Sequence, residues 1–132
     1  MKTVLALFLS LLFFGGVTLI NPLVSDVPDE IIVSLKTGNS KTLAKYFNSN
    51  LELQILDDEN VYSKSQAEIM IDKFFKENIP SGFSIIHQGG TSDAKYIIGN
   101  LTTSKGVYRV YFLLKESNGK PLIHELRIEE NE

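Results

Sequence analysis

Cysteine is absent from this 132-residue chain, and histidine occurs only twice, at His87 and His124. The absence of cysteine excludes disulfide bonds, thiol catalysis and cysteine-ligated metal. Two imidazoles without a recognisable third ligand are too few for an ordinary zinc site. We therefore predict no metal and no cofactor, and we assign no residue a catalytic role.

The chain also lacks clusters of basic residues. Its 13 lysines and arginines are scattered singly among 16 acidic residues, for a formal net charge of −3. Because proteins that bind nucleic acid usually carry a basic patch, this pattern argues against nucleic acid as a partner. The acidic run Asp57–Glu59 lacks the further, regularly spaced oxygen ligands of a calcium loop and is typical of a solvated turn.

The only long apolar run lies at the amino terminus. After Lys2, residues 3–20 carry no charge and are mostly apolar. This pattern predicts a signal peptide over residues 1–25, followed by a single domain over residues 26–132. An uncleaved membrane anchor is the alternative, and it would be the protein's only contact with the membrane. Either way we expect an exported protein, periplasmic or extracellular.

The first part of the domain carries helical patterns. "DVPDEIIVSLKTGN" and "NSKTLAKYFN" predict two short helices, and "LELQIL" predicts a strand. Ser63 and Gln66 then form the S-x-x-Q signature of a capping box. A single apolar stripe follows, at Ala67, Met70, Ile71, Phe74 and Phe75. The sequence therefore predicts a third, longer helix that packs on a broad apolar surface and ends before Pro80.

The second part predicts an antiparallel meander with the strands "FSIIHQ", "AKYIIGNLTT", "VYRVYFLLK" and "PLIHELRIE". A three-residue hairpin loop at residues 117–119 would place Phe112 opposite His124. A two-residue Asn-Gly loop would instead place Phe112 beside Glu125 and mix the two faces, so we predict the three-residue loop. Helices followed by such a sheet form an α+β fold.

Alternation in these strands places both histidines on the face that the helices cover. Together with Tyr96, Tyr108 and Asn100, His87 and His124 are our candidate ligand-binding residues, in a pocket that would hold a polar ligand or a general base. The alternative is that each histidine is partly buried and hydrogen-bonded to a hydroxyl or carbonyl group. No carboxylate has a predicted place beside them.

The opposite face of the sheet carries apolar residues at positions expected to meet solvent. Tyr111, Leu113 and Ile123 fall there by alternation. They are either scattered surface residues or a patch through which a second copy of the chain pairs. A homodimer through the sheet face is therefore one of our expectations.

Four segments carry a resemblance to a known family: "GNSKTLAKYFN", "VYSKSQAEIMIDKFF", "FSIIHQGG" and "VYRVYFLL". They resemble a family of small secreted bacterial proteins of unknown function. The order of elements resembles the nuclear transport factor 2-like, cystatin-like cone fold. This resemblance implies N-terminal helices packed on a curved antiparallel sheet, with a pocket between them, and it implies export.

The resemblance implies no activity, because the wider superfamily includes isomerases, dehydratases, ligand binders and protein-association modules. Our first hypothesis is a non-enzymatic module that binds a small molecule or a protein partner through the cone pocket or the sheet face. The alternative is an isomerase- or dehydratase-like enzyme with a pocket histidine as general base. A third hypothesis is a purely structural or interaction subunit.

Overall fold

The structure, a computed structural model, describes residues 27–131. The predicted signal peptide or anchor over residues 1–25 lies outside this range. Among the described residues, no helix has the length and apolar character needed to cross a bilayer.

Three helices and six strands follow one another along the chain. In order they are α1 (Asp29–Thr37), α2 (Ser40–Ala44), β1 (Phe47–Ile55), β2 (Asp58–Ser63), α3 (Lys64–Glu77), β3 (Pro80–Gly90), β4 (Ala94–Thr103), β5 (Gly106–Ser117) and β6 (Lys120–Glu130). The strands form one sheet in the order β2-β1-β6-β5-β4-β3. Neighbouring strands are antiparallel except β1 and β6, which run parallel. The α+β prediction is confirmed, with a sheet that is mixed rather than wholly antiparallel.

The predicted capping box of α3 is confirmed. The Ser63 hydroxyl accepts a hydrogen bond from the Gln66 amide at 3.3 Å, and the Ser63 amide donates to Gln66 Oε1 at 3.2 Å. These two bonds satisfy donors that the first turn of a helix leaves without partners. From this start, the predicted apolar stripe faces the sheet, with Phe74 and Phe75 buried and Met70 half-buried.

The region between α2 and α3 differs from the prediction. α2 ends at Ala44, and Phe47 begins a strand instead of closing the helix. The residues predicted as a polar turn mostly belong to β2, which pairs with β1 and lies at the edge of the sheet. An edge strand with little burial shows no alternation of apolar residues, so nothing in the sequence pattern indicated it.

The core lies between the helices and one face of the sheet. Its fully buried large side chains come from all layers: Ile31, Leu35, Leu43, Phe47, Leu51, Leu53, Ile71, Ile97, Leu101, Phe112, Ile123 and Leu126. These side chains fill the space beneath α1 and α3 where a large internal pocket was expected. The opposite face of the sheet is not covered by any described element.

The turn between β5 and β6 has two residues, so the predicted three-residue loop is wrong. Ser117 pairs with Lys120, and Asn118 and Gly119 both have positive φ, at 53° and 78°. Positive φ at both central positions is the geometry that favours Asn-Gly in hairpins. With regular strands, this two-residue loop would place Phe112 beside Glu125 and mix polar with apolar residues on each face. A β-bulge at His124 avoids this mixing.

The bulge shifts the register by one residue. On the turn side Leu114 pairs with Ile123, whereas beyond the bulge Phe112 pairs with Leu126 and not with His124. Ile123, predicted to face solvent, is therefore fully buried, and Leu122 before it is only half-buried. One extra residue in a strand thus keeps the apolar residues on the covered face on both sides of it.

Candidate functional site

The structure separates the five predicted site residues. Tyr108 lies on the covered face, in line with the buried residues Val110 and Phe112 of β5. Tyr96 and Asn100 alternate with the fully buried residues of β4 and so lie on the uncovered face. The predicted single pocket lined by all five residues is therefore wrong.

His87 also lies on the uncovered face, because β3 carries a bulge at Ile86. Ile85 pairs with Gly99 on the covered side, and after the extra residue His87 pairs with Ile98 on the other side. His87 is exposed. The prediction that alternation runs unbroken from Phe83 to His87 fails at this bulge.

His87 and Tyr96 contact each other across β3 and β4. His87 Nε2 lies 3.2 Å from the Tyr96 hydroxyl, and the ring centroids are 5.7 Å apart. Gly89 pairs directly with Tyr96, and a Cβ at Gly89 would lie 2.6 Å from the Tyr96 hydroxyl oxygen. The glycine thus lets the tyrosine ring lie across the edge strand towards His87.

The contact continues across the sheet through β5 and β6. Tyr96 and Tyr111 stack with centroids 6.4 Å apart and ring planes 23° apart. The Arg127 guanidinium carbon lies 5.5 Å from the centre of the Tyr111 ring, and Arg127 Nη2 forms a 2.5 Å ion pair with Glu125. We call His87, Tyr96, Tyr111 and Arg127 the aromatic row; it crosses four neighbouring strands.

The electrostatics of the row couple Tyr111 to the charges beside it. Burial raises the pKa of Tyr111, the negative charge of Glu125 raises it further, and Arg127 opposes the shift. Burial acts to lower the pKa of Arg127, but the charge of Glu125 and its hydrogen bond outweigh it and raise that pKa. At neutral pH Tyr111 therefore keeps its phenol proton beside the ion pair of Arg127 and Glu125.

His124, the other candidate histidine, occupies the bulge of β6. Ile123 before it is buried on the covered side, and Glu125 after it pairs with the outward residue Leu113. His124 is half-buried, and its Nε2 is buried without a hydrogen-bond partner among the described residues. Burial lowers the pKa of His124, and the positive charge of Lys115 lowers it further. The imidazole is consequently neutral at pH 7.

Tyr108 has a structural role on the covered face. Its hydroxyl donates to Asn78 Oδ1 at 2.9 Å, and Asn78 Nδ2 donates to the Phe74 carbonyl at 3.1 Å. The Phe74 and Tyr108 rings meet edge to face, with centroids 5.1 Å apart. These contacts attach the carboxyl end of α3 to β5.

An open groove of about 290 Å³ runs beside this network, between α3 and the turn from β1 to β2. Ile55, Ile69, Met70 and Phe74 supply its apolar wall. Leu56, in that turn, has a φ of 57°, a conformation that costs energy for a residue with a branched side chain. Neither histidine lines this groove.

The remaining sequence motifs have local roles in the structure. Within residues 27–131 no three histidine, aspartate or glutamate side chains come together as metal ligands would. Asp58, from the acidic run, accepts a hydrogen bond from the Tyr62 hydroxyl at 2.8 Å. Tyr111 was predicted to face outward, but the sequence did not indicate that it joins His87 and Tyr96, because only the bulge in β3 brings His87 to that face.

Three solved structures place this fold among known proteins. A DUF4783 family protein from Bacteroides ovatus is 32% identical with a TM-score of 0.77, over 81% of this chain and 97% of that one. One from Bacteroides fragilis is 33% identical with a TM-score of 0.76, over 80% and 100%. An NTF2-like protein of unknown function from Cytophaga hutchinsonii is 14% identical with a TM-score of 0.55, over 75% and 81%.

The last likeness concerns the fold alone, and it confirms the cone-like α+β architecture expected from the sequence. No curated protein matches the sequence significantly. The profile of one family, described as a domain of unknown function, matches residues 28–129. That range spans nearly all of the described residues, and the two Bacteroides proteins carry the same family name. The chain belongs to the DUF4783 family.

Proposed function

We propose that the protein is an exported, non-enzymatic binding module whose uncovered sheet face binds another protein, with a second copy of the chain as its simplest partner. The observation that carries the proposal is the aromatic row, which crosses four strands on a face that no described element covers.

The composition of the row supports a protein partner. Tyrosine and arginine are enriched at the centres of protein interfaces, where they supply large contact areas at a low cost in side-chain entropy. Ile98 and Leu113 extend the apolar surface beside the rings, and both are half-buried. In a monomer this surface would meet water.

The charges beside the row fit a symmetric pair. Arg127 and Glu125 lie next to each other on the same face, so both signs are present on one patch. Two copies related by a twofold axis would place the arginine of each near the glutamate of the other. Such an arrangement would pair the Arg127 and the Glu125 of each copy without a different partner.

The geometry favours binding over the isomerase-like alternative. His87 and Tyr96 do approach within 3.2 Å, as a general base and a proton donor would. They do so at the exposed edge of the sheet, where nothing excludes water from a reacting group. Glu125, the carboxylate beside Tyr111 in the row, is held in an ion pair by Arg127.

The groove beside α3 is the weaker candidate for a ligand site. Its buried amide, Asn78, already bonds Tyr108 and the Phe74 carbonyl, and its Asp58 bonds Tyr62. The other charged residues of its lining, Lys73 and Glu77, are exposed to solvent. Recognition there would rest mainly on apolar contact, and polar groups that fix a ligand's orientation are what give a site its specificity.

Sedimentation equilibrium over a wide range of concentrations tests the proposal. We expect the wild-type protein to form a dimer and Tyr111→Ala to raise its dissociation constant about tenfold or more, because truncating a central aromatic residue removes a large part of the binding energy. Val33→Ala is the control, since Val33 is 51% exposed on α1, outside the row. A monomer at every concentration, or a dimer that Tyr111→Ala leaves unchanged, would contradict the proposal.

A further inference from the structure

We propose that a cleft beside the turn between β5 and β6 binds a hydroxylated phosphate ester, the chemistry shared by sugar phosphates and phosphorylated lipid headgroups. The cleft has a volume of about 510 Å³ and lies where α2, the start of β1, the start of α3 and the turn between β5 and β6 meet. The proposal is independent of the sheet face and its partner.

Three lysines from three different elements line the cleft. Lys45 follows α2, Lys64 begins α3 and Lys120 begins β6. All three are exposed, and none of their ammonium groups has an ion pair among residues 27–131. No carboxylate lines the cleft.

This arrangement departs from the composition of the chain. Acidic residues outnumber basic ones by 16 to 13, so an arbitrary surface cleft would be expected to include a carboxylate. Three uncompensated positive charges around one cleft repel each other, and a bound anion relieves that repulsion. The cleft therefore attracts a ligand with more than one negative charge.

The lysines indicate which kind of anion fits. An ammonium group binds phosphate as a point charge, whereas planar carboxylates are best recognised by the fork of an arginine. No arginine lines the cleft. The donor set thus favours phosphate.

The remaining lining indicates that the ligand carries more than phosphate. A volume of this size falls within the range of roughly 300 to 1,000 Å³ typical of small-molecule sites. Asn48, Ser49 and Ser117 offer amide and hydroxyl groups that pair with ligand hydroxyls, and the half-buried Leu122 adds apolar surface.

The charge comes from the lysines and not from the amino end of α3. The capping box of Ser63 and Gln66 already satisfies backbone amides of that first turn. Substituting the lysines should therefore weaken binding while the helix remains intact.

A titration followed by amide NMR shifts tests the site, with fructose 1,6-bisphosphate as the probe and glucose as the neutral control. We expect the bisphosphate, and not glucose, to shift the amides of Asn48, Asn118 and Lys120. The triple variant Lys45→Gln, Lys64→Gln, Lys120→Gln should weaken binding about tenfold or more, and added salt should weaken binding to the wild type.

The matched control is Lys36→Gln, Lys41→Gln, Lys105→Gln, which makes the same change in net charge at exposed lysines outside the cleft. Equal loss of affinity in both triple variants, or amide shifts confined to other parts of the protein, would overturn the proposal.

Flotation with phosphatidylglycerol vesicles, compared with phosphatidylcholine vesicles, identifies the source of the phosphate ester. Vesicle binding that needs the three lysines indicates a lipid headgroup, and binding of the soluble bisphosphate alone indicates a sugar phosphate. Binding of neither overturns the proposal.

Discussion

At the scale of single residues, the charge of His124 depends on its surroundings. Its Nε2 is buried without a described partner, and Lys115 adds a positive charge nearby. Both effects disfavour the imidazolium, so the folded protein holds this histidine neutral at a pH where the unfolded chain protonates it.

This difference predicts a pH dependence of stability. Because the folded pKa of His124 lies below the unfolded value, the unfolded state binds its proton first as the pH falls. The free energy of unfolding should therefore decline as the pH falls below the usual histidine pKa of about 6.5, until the folded pKa is passed. In His124→Gln this part of the decline should disappear, as measured by urea denaturation between neutral and mildly acidic pH.

The control for this experiment is His87→Gln, since His87 is exposed on the edge strand. We expect the decline in the pH profile to persist in His87→Gln. If His124→Gln kept that profile too, the buried nitrogen would not be the source of the pH dependence.

The two histidines also show where alternation along a strand fails to predict the face on which a residue lies. Alternation correctly separated buried from outward positions on most of β5, but Tyr96 and Asn100 of β4, predicted in the pocket, lie on the uncovered face. It also placed His87 on the wrong face and did not indicate the extra residue at His124. Each lies at or just beyond a bulge. A bulge reverses the side to which the next residue points, and no residue type in "SIIHQGG" or "PLIHELR" marks it in advance.

At the scale of elements, α3 could be predicted almost completely and the strands only in part. The capping box and the apolar stripe of α3 are local signals, and both were confirmed. The β5–β6 turn was predicted with one residue too many, because its register depends on a bulge farther along β6. Strand pairing is a property of two segments, and one sequence pattern fixes it only when both strands are regular.

The capping box supplies a prediction at this scale. Ser63→Ala removes the acceptor for the Gln66 amide and should lower the free energy of unfolding by about 1 kcal/mol. Ser65→Ala is the matched control, because Ser65 is exposed inside the same first turn, and its hydroxyl lies 3.4 Å from the Ser63 hydroxyl but accepts no bond from a backbone amide of the described residues. Urea denaturation should show a loss for Ser63→Ala only; equal effects of the two substitutions would contradict a capping role.

At the scale of the whole molecule, the two faces of the sheet have different roles. The covered face is packed with fully buried residues beneath the helices, and the uncovered face carries the aromatic row. The sequence predicted that a pocket on the covered side would hold the site. Whether such a pocket exists depends on the total volume of the core side chains, and the pattern of apolar positions along the sequence does not give that volume.

Two neighbouring residues of β5 separate these roles. Phe112 is fully buried on the covered face, and Tyr111 is half-buried on the other. We expect Phe112→Ala to lower the free energy of unfolding by about 3 to 5 kcal/mol, because it leaves a cavity in the core. Tyr111→Ala should cost about 1 kcal/mol while weakening the dimer. Thermal unfolding and sedimentation of both variants measure the two effects. If Tyr111→Ala were as unstable as Phe112→Ala, the aromatic row would be required for the stability of the fold. The proposal that the row is a surface free to bind a partner would then be wrong.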